Sequence, residues 1–305
     1  MKYLASIFII VVYAAFTTAS AMQASSTPTP ITVGTPAPPF NRNYDYELTK
    51  LKNKPKEEDI KQAQLRKELI AKYVDPLYRI PTASELSSVG IDPEIRSIFS
   101  AFLARPSTGI FRLTPDLGCA EVIGMARPDG ECLKYPFPGA GNAYSFRAAG
   151  YRMRSVSDIS FSGTKFFTPG ALTQGILVKL GDVPIEGLVP GSSGIKYLTE
   201  FQPASDIKAV TAANKRFELG TEVGGFRYAS TAPVEMNMTY ALRSIAYRGE
   251  VVQSFQGALY NELDYDKRRD VIVVFRTVGF DEAGTLIIIW QEIRSGDAPK
   301  LKEQK

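Results

Sequence analysis

The chain contains no histidine, and this absence restricts its chemistry more than any residue that is present. Without an imidazole, Ser-His-Asp and Cys-His triads, histidine acid–base shuttles and histidine metal ligands are all excluded. Only two cysteines occur in 305 residues, which excludes a Cys₄ zinc site within one chain. A Walker loop and a G-x-G-x-x-G fingerprint are also missing, so nothing supports a nucleotide, and we expect the protein to use no cofactor.

A strong charge of one sign is missing as well. The formal net charge is +4, and removing Lys2 with the N-terminal segment described next leaves about +3. Proteins that bind nucleic acid carry a dense basic patch or stripe. We therefore expect no nucleic-acid partner, and a ligand or protein partner of unknown identity.

The N-terminus has the pattern of a secretory signal peptide. Met1-Lys2 precedes an apolar run over 3–16, and the small-residue site Ala19-Ser20-Ala21 follows. The run is shorter than the roughly 20 residues that a membrane-spanning helix needs. We predict a signal peptide at 1–21 and export to the periplasm or the extracellular space, with no transmembrane segment after cleavage. An uncleaved N-terminal anchor is the alternative.

The remaining residues divide into four regions by composition. Residues 22–42 are rich in Pro, Ser and Thr, which predicts a disordered spacer. Residues 43–106 form a predicted helical section, residues 107–294 a β-rich body, and residues 295–305 a polar C-terminal tail. The fold class predicted from this order is α+β, with the helical section packed against a mostly antiparallel β body.

Three helical signals lie in the second region. Residues 56–73 are rich in helix formers, with acidic residues near their start. Thr82 and Glu85 have the spacing of a capping box, and Asp92-Pro93 opens a further helix. One face of that further helix is predicted to be buried, through Ile95, Ile98, Phe99, Phe102 and Leu103.

The strongest strand signal is a hairpin. Two β-branched runs, 271–280 and 285–293, are joined by DEAG, and both faces are apolar over 271–274 and 286–289. We expect these strands at the centre of their sheet. A half-exposed strand is predicted at residues 236–247. Further strands are predicted at 176–180 and, shorter, within 158–168 and 194–201.

Cys119 and Cys132 are predicted to form a disulfide, because they are the only cysteines of a protein expected to be exported. The bridge closes a loop of 14 residues. On the chain-entropy estimate this contributes roughly 3 kcal/mol. A reactive dithiol is the alternative.

Two patterns resemble catalytic motifs, but neither gives a candidate residue. Ser-x-x-Lys occurs three times, where roughly one match is expected by chance, but the companion motifs of penicillin-recognising enzymes are missing. The carboxylates of Glu262, Asp264, Asp266 and Asp270 suggest a metal site or a sugar-cleaving pair. The basic residues at 267–269 interrupt this cluster, however, and favour a solvated, self-paired turn. We therefore predict neither a catalytic residue nor a metal ligand.

A binding surface is predicted in the loop and strand that follow the second cysteine. The loop is too rich in Pro and Gly to lie inside a strand, and binding residues concentrate in such braced loops. The predicted rim consists of Tyr135, Asn142, Tyr144 and Arg147. Strand alternation places Tyr144 and Phe146 on one face and Arg147 on the other. In the alternative, the aromatic residues are core and the arginines are paired.

Two classes of function remain. An exported binding or structural protein is favoured, because every common catalytic signature is absent. An extracytoplasmic hydrolase that uses Asp or Glu carboxylates, on glycans for example, is the alternative.

Overall fold

The computed structural model describes residues 57–87, 89–115, 141–281 and 284–302. All of them belong to one unit of the chain, Pro55–Lys305. The predicted signal peptide, the predicted spacer and both cysteines lie outside the described residues, so export and the disulfide stay predictions.

Seven α-helices occur in the described part of the chain. They are α1 (Glu57–Leu69), α2 (Asp75–Tyr78), α3 (Ala83–Ser87), α4 (Pro93–Ile98), α5 (Ser100–Leu103), α6 (Lys196–Glu200) and α7 (Ile207–Leu219). A π-helical turn, Ile70–Val74, joins α1 to α2, and short 3-10 turns occupy Arg154–Val156 and Glu262–Tyr265.

The predicted helix starts are confirmed. The main-chain N–H of Thr82 donates to the Glu85 carboxylate and the N–H of Glu85 donates to the Thr82 hydroxyl, which is the reciprocal pair of a capping box. The Asp92 side chain accepts a hydrogen bond from the N–H of Glu94, and Pro93 is the first residue of α4.

The predicted buried face over residues 95–103 is partly wrong. Phe99 leaves the helical conformation, with φ −97° and ψ 13°, and separates α4 from α5. The break changes the direction of the following side chains, so Phe102 is buried whereas Ile98 is 75% exposed.

Fourteen strands are found among the described residues. They are β1 (Thr108–Leu113), β2 (Ala143–Ser145), β3 (Gly150–Tyr151), β4 (Ile159–Phe161), β5 (Lys165–Phe167), β6 (Thr173–Gly181), β7 (Thr221–Val223), β8 (Phe226–Ala229), β9 (Thr231–Pro233), β10 (Thr239–Ala246), β11 (Val252–Phe255), β12 (Ala258–Asn261), β13 (Arg269–Phe280) and β14 (Leu286–Asp297).

These strands form a large sheet, a small sheet and a hairpin, and all of their pairings are antiparallel. The large sheet has the order β1-β14-β13-β10-β6-β8-β7, the small sheet has the order β3-β2-β4-β5-β9, and β11 pairs with β12. The predicted hairpin is confirmed as β13 and β14, both inside the large sheet. Strand β14 runs on to Asp297, so the first residues of the predicted tail belong to this sheet.

Two strand predictions are wrong in part. Strand β10 was predicted to be half exposed, but all eight of its residues are buried, because core clusters cover both faces of its sheet. Its poor alternation arises from Arg243 and Ser244, which are buried polar residues with the partners Asp270 and Asp158. The segment 194–201 forms helix α6 rather than a strand.

The large sheet is the middle layer of the protein. On one face Phe275 and Trp290 pack with Phe166 of the small sheet and with Phe146, which follows β2. The opposite face packs against α5, α6 and α7, with a core that includes Ile272. The N-terminal helices pack through Val74 and Tyr78 on the β11–β12 hairpin. The α+β prediction is therefore confirmed, with α7 as a helix that the sequence analysis did not predict.

Candidate functional site

A cleft of about 370 Å³ opens between the outer face of the small sheet and helix α7. The described residues that line it are Arg154, Ser160, Phe161, Ser162, Phe167, Thr168, Pro169, Thr173, Gly175, Asn214, Phe217, Glu218, Ser230 and Thr231. The volume lies at the lower end of the roughly 300–1,000 Å³ range of small-molecule pockets.

One wall of the cleft is a row of three side chains across the small sheet. The register places Ser160 of β4 opposite Phe167 of β5, and Phe167 opposite Thr231 of β9. Directly opposed residues of antiparallel strands point to the same face of a sheet. The alternate residues Phe161 and Phe166 belong to the core on the other face. The wall therefore presents an aromatic ring between two hydroxyl groups.

Helix α7 provides the opposite wall, and a chain of hydrogen bonds orients its amide side chain. The N–H of Ala204 donates to the Tyr247 hydroxyl (3.0 Å), and this hydroxyl donates to Oε1 of Gln174 (3.3 Å). The amino group of Gln174 then donates to Oδ1 of Asn214 (3.2 Å). Because Asn214 accepts through its oxygen, both N–H donors of its amide remain for a ligand.

Several polar groups of the cleft have no partner in the described part of the chain. They are the hydroxyls of Ser160, Ser230 and Thr231, the amino group of Asn214 and the carboxylate of Glu218. By contrast, the Ser162 hydroxyl is bound by the main chain of Lys165, as both donor and acceptor. Lining groups without partners are suited to recognise a polar molecule.

The base of the cleft depends on a close approach between Gly175 of β6 and Thr168. A Cβ atom added to Gly175 would lie 2.2 Å from the Cβ atom of Thr168, so only glycine fits. Both the main-chain N–H and the hydroxyl of Thr168 donate to the Ser230 carbonyl, which ties the end of β5 to the start of β9.

Of the predicted binding residues, the three that the structure describes, Asn142, Tyr144 and Arg147, do not line this cleft. Tyr135 lies outside the described residues. Asn142 is 4% exposed, and the Tyr144 ring stacks on Phe111 with centroids 3.7 Å apart. Arg147 is 1% exposed. The strand alternation is confirmed, but these three side chains lie in the interior rather than on an open rim. Their role in binding stays a prediction.

Arg147 is held between two carboxylates. Its Nε donates to Asp158 (2.6 Å) and its Nη1 donates to Asp266 (2.7 Å). Burial alone would lower the pKa of Arg147, but the charges of Asp158 and Asp266 outweigh this and raise it. Asp158 also accepts hydrogen bonds from the hydroxyls of Ser145 and Ser244. This network joins the small sheet to the large sheet.

The carboxylates at 262–270 differ from the predicted solvated, self-paired turn, because three of them are buried and have partners elsewhere in the chain. Glu262 is buried and accepts a hydrogen bond from the Tyr78 hydroxyl (2.7 Å). Asp266 pairs with Arg147 and Arg268, and Asp270 pairs with Arg243. Within the ranges that the structure describes, no group of three His, Cys, Asp or Glu side chains could hold a metal ion.

No protein-family model, curated protein or solved structure matches this chain. The cleft itself is therefore the basis on which a function can be inferred. Sequence analysis did not find the cleft because its walls are common Ser, Thr and Phe residues, distributed between positions 154 and 231. The sequence did contain a signal for one wall of the cleft. Asp206 is the N-cap of helix α7, and Gly220 ends the helix.

Proposed function

We propose that this protein is an exported binding protein whose cleft holds a small polar ligand. The observation that carries the proposal is the set of lining groups without partners, which includes Ser160, Asn214 and Thr231. A cleft of this kind, apolar in part and with a few convergent polar groups, is the usual form of a ligand site. The secretory pattern at 1–21 supports export.

The alternative, a hydrolase that uses two carboxylates, is less well supported by this site. Cleavage of a glycosidic bond normally requires a pair of carboxyl groups on either side of the bond. Among the described lining residues Glu218 supplies the single carboxylate. Asp158, Asp266 and Asp270 are engaged in ion pairs elsewhere. Binding without turnover is therefore the better conclusion.

A ligand panel tests the proposal. The exported protein is screened by thermal shift and then by calorimetry against neutral sugars, amino acids, organic acids and inorganic phosphate. Thr231→Trp is designed to fill the cleft, and Ser254→Trp serves as its control, because Ser254 is an exposed strand residue on the separate β11–β12 hairpin.

We expect at least one of these ligand classes to bind the wild-type protein and the Ser254→Trp variant but not the Thr231→Trp variant. Failure of every class to bind would contradict the proposal, and so would binding that Thr231→Trp leaves unchanged.

A further inference from the structure

Phe167 is the exposed aromatic residue among those that line the cleft. Phe167 is 37% exposed, although its sheet neighbour Phe166 is fully buried. Ser160 and Thr231 flank it on the two adjoining strands. Since neighbouring strands lie about 4.8 Å apart, the two hydroxyl-bearing residues are separated by roughly 10 Å across the ring. This surface has an apolar centre and a polar perimeter.

The facing helix offers a complementary donor and acceptor. Asn214 and Glu218 are four residues apart on α7, and both line the cleft. Side chains with this spacing share a helix face, with Cβ atoms about 5–6 Å apart. The amide of Asn214 donates, whereas the carboxylate of Glu218 accepts. Adjacent hydroxyl groups on a sugar ring satisfy this arrangement, because one accepts from the amide while its neighbour donates to the carboxylate.

Charge and desolvation argue against other ligand classes. An anion would meet Arg154 favourably but would be repelled by Glu218, and both residues line the same cleft. A wholly apolar ligand would cover the hydroxyls of Ser160 and Thr231 without giving them hydrogen bonds, which is costly. A neutral molecule with a C–H face and hydroxyls around its edge avoids both penalties.

We propose that the ligand is a neutral sugar, whose C–H face lies on Phe167 and whose vicinal hydroxyls bind Asn214 and Glu218. This inference rests on the proposed binding function of the cleft. The volume of about 370 Å³ suits a mono- or disaccharide, or one unit of a longer glycan.

Saturation-transfer NMR and calorimetry test the inference with defined probes. These are glucose, galactose, mannose, N-acetylglucosamine and the α- and β-linked disaccharides of glucose. Phe167→Ala and Glu218→Gln are each expected to weaken binding about tenfold, which corresponds to about 1.4 kcal/mol.

The controls remove similar groups elsewhere in the protein. Tyr73→Ala removes an exposed ring from the π-helical turn, and Glu200→Gln neutralises an exposed carboxylate on α6. Both controls are expected to bind with wild-type affinity. Near-UV circular dichroism confirms that each variant retains the native fold.

Each outcome decides between the two proposals. Sugar binding that persists unchanged in both Phe167→Ala and Glu218→Gln overturns the assigned geometry. If no sugar binds while another class binds and is blocked by Thr231→Trp, the sugar inference is wrong and the binding function stands. If no class binds, both are wrong.

Discussion

Asp158 shows how a single buried residue holds two sheets together. Its side chain accepts from Ser145, Ser244 and both the main chain and the side chain of Arg147. Ser145 belongs to the small sheet and Ser244 to the large sheet. Because all of these groups are removed from water, removing one partner leaves a buried polar or charged group without its hydrogen bond, which is costly.

Replacing Asp158 by Ala is expected to be strongly destabilising. Arg147 would keep Asp266 but lose the bond at Nε, and breaking a buried ion pair in this way costs about 3–5 kcal/mol. Glu235→Ala is the control, because its pair with Lys179 is exposed and is worth roughly 0–1 kcal/mol. Urea unfolding measures both. Equal losses of unfolding free energy in the two variants would contradict this account of Asp158.

Buried tyrosines make the protein sensitive to alkali. Burial raises the pKa of Tyr228 and of Tyr240 to about 12, whereas tyrosines of an unfolded chain titrate near 10. Between these values the native state keeps protons that the unfolded state loses, so the stability present below about pH 10 falls as the pH rises toward 12.

The ionisation of tyrosine is therefore expected in two stages. Phenolate absorbance records ionisation and near-UV circular dichroism records native packing in the same titration. Exposed tyrosines should ionise first, and the buried ones only when the packing is lost. Ionisation of every tyrosine in one step near pH 10, with the native signal intact, would contradict the assigned burial.

At the scale of elements, the approach of β6 to the end of β5 defines the base of the cleft. Gly175→Ala would introduce a Cβ atom that collides with Thr168, and overpacking of this kind costs about 1–3 kcal/mol. Gly187→Ala is the control, since an added Cβ there meets no atom within 4 Å. Thermal unfolding compares the two variants. A Gly175→Ala protein as stable as Gly187→Ala would show that the two strands lie further apart.

Elements defined by local signals could be predicted from the sequence, and elements defined by distant partners could not. The hairpin of β13 and β14 and the cap at Thr82 depend on residues close together in the chain. The burial of Ser244 and Arg243 in β10 depends on Asp158 and Asp270, which lie 86 and 27 positions away in the chain. Nothing in the local pattern of β10 indicates those partners.

The cleft was beyond prediction for a related reason. The row of Ser160, Phe167 and Thr231 exists only because β5 pairs with both β4 and β9, and β9 lies more than 60 residues further along the chain. The predicted rim residues show the reverse case, in which the sequence suggested an open surface and the structure places the side chains inside. Tyr144 and Arg147 are residue types common in binding sites, but their partners Phe111 and Asp158 hold them in the interior.

At the scale of the whole molecule, the small sheet is covered by the large sheet on one face and opens to the cleft on the other. The large sheet is covered on both faces, by the small sheet and by helices. Among the described helices, none has the length and apolarity needed to cross a membrane.

Export itself is expected to leave a chain that begins at Met22. Intact-mass measurement of the protein recovered outside the cytoplasm checks this prediction, because the cleaved and uncleaved chains differ by the 21 residues of the predicted signal peptide. A mass that includes residues 1–21 would favour an N-terminal anchor instead. The same measurement, made with and without reduction and alkylation, reports whether Cys119 and Cys132 are bonded.

The central claim is that ligand binding takes place in the cleft between the small sheet and α7. Amide chemical-shift mapping with the panel member that binds most tightly tests it directly. The account predicts that the perturbed amides cluster around Ser160, Phe167, Asn214 and Thr231, while those of Tyr144 and Arg147 keep their positions. Perturbations centred on Asn142 to Arg147, or dispersed over the surface without a cluster at the cleft, would contradict it.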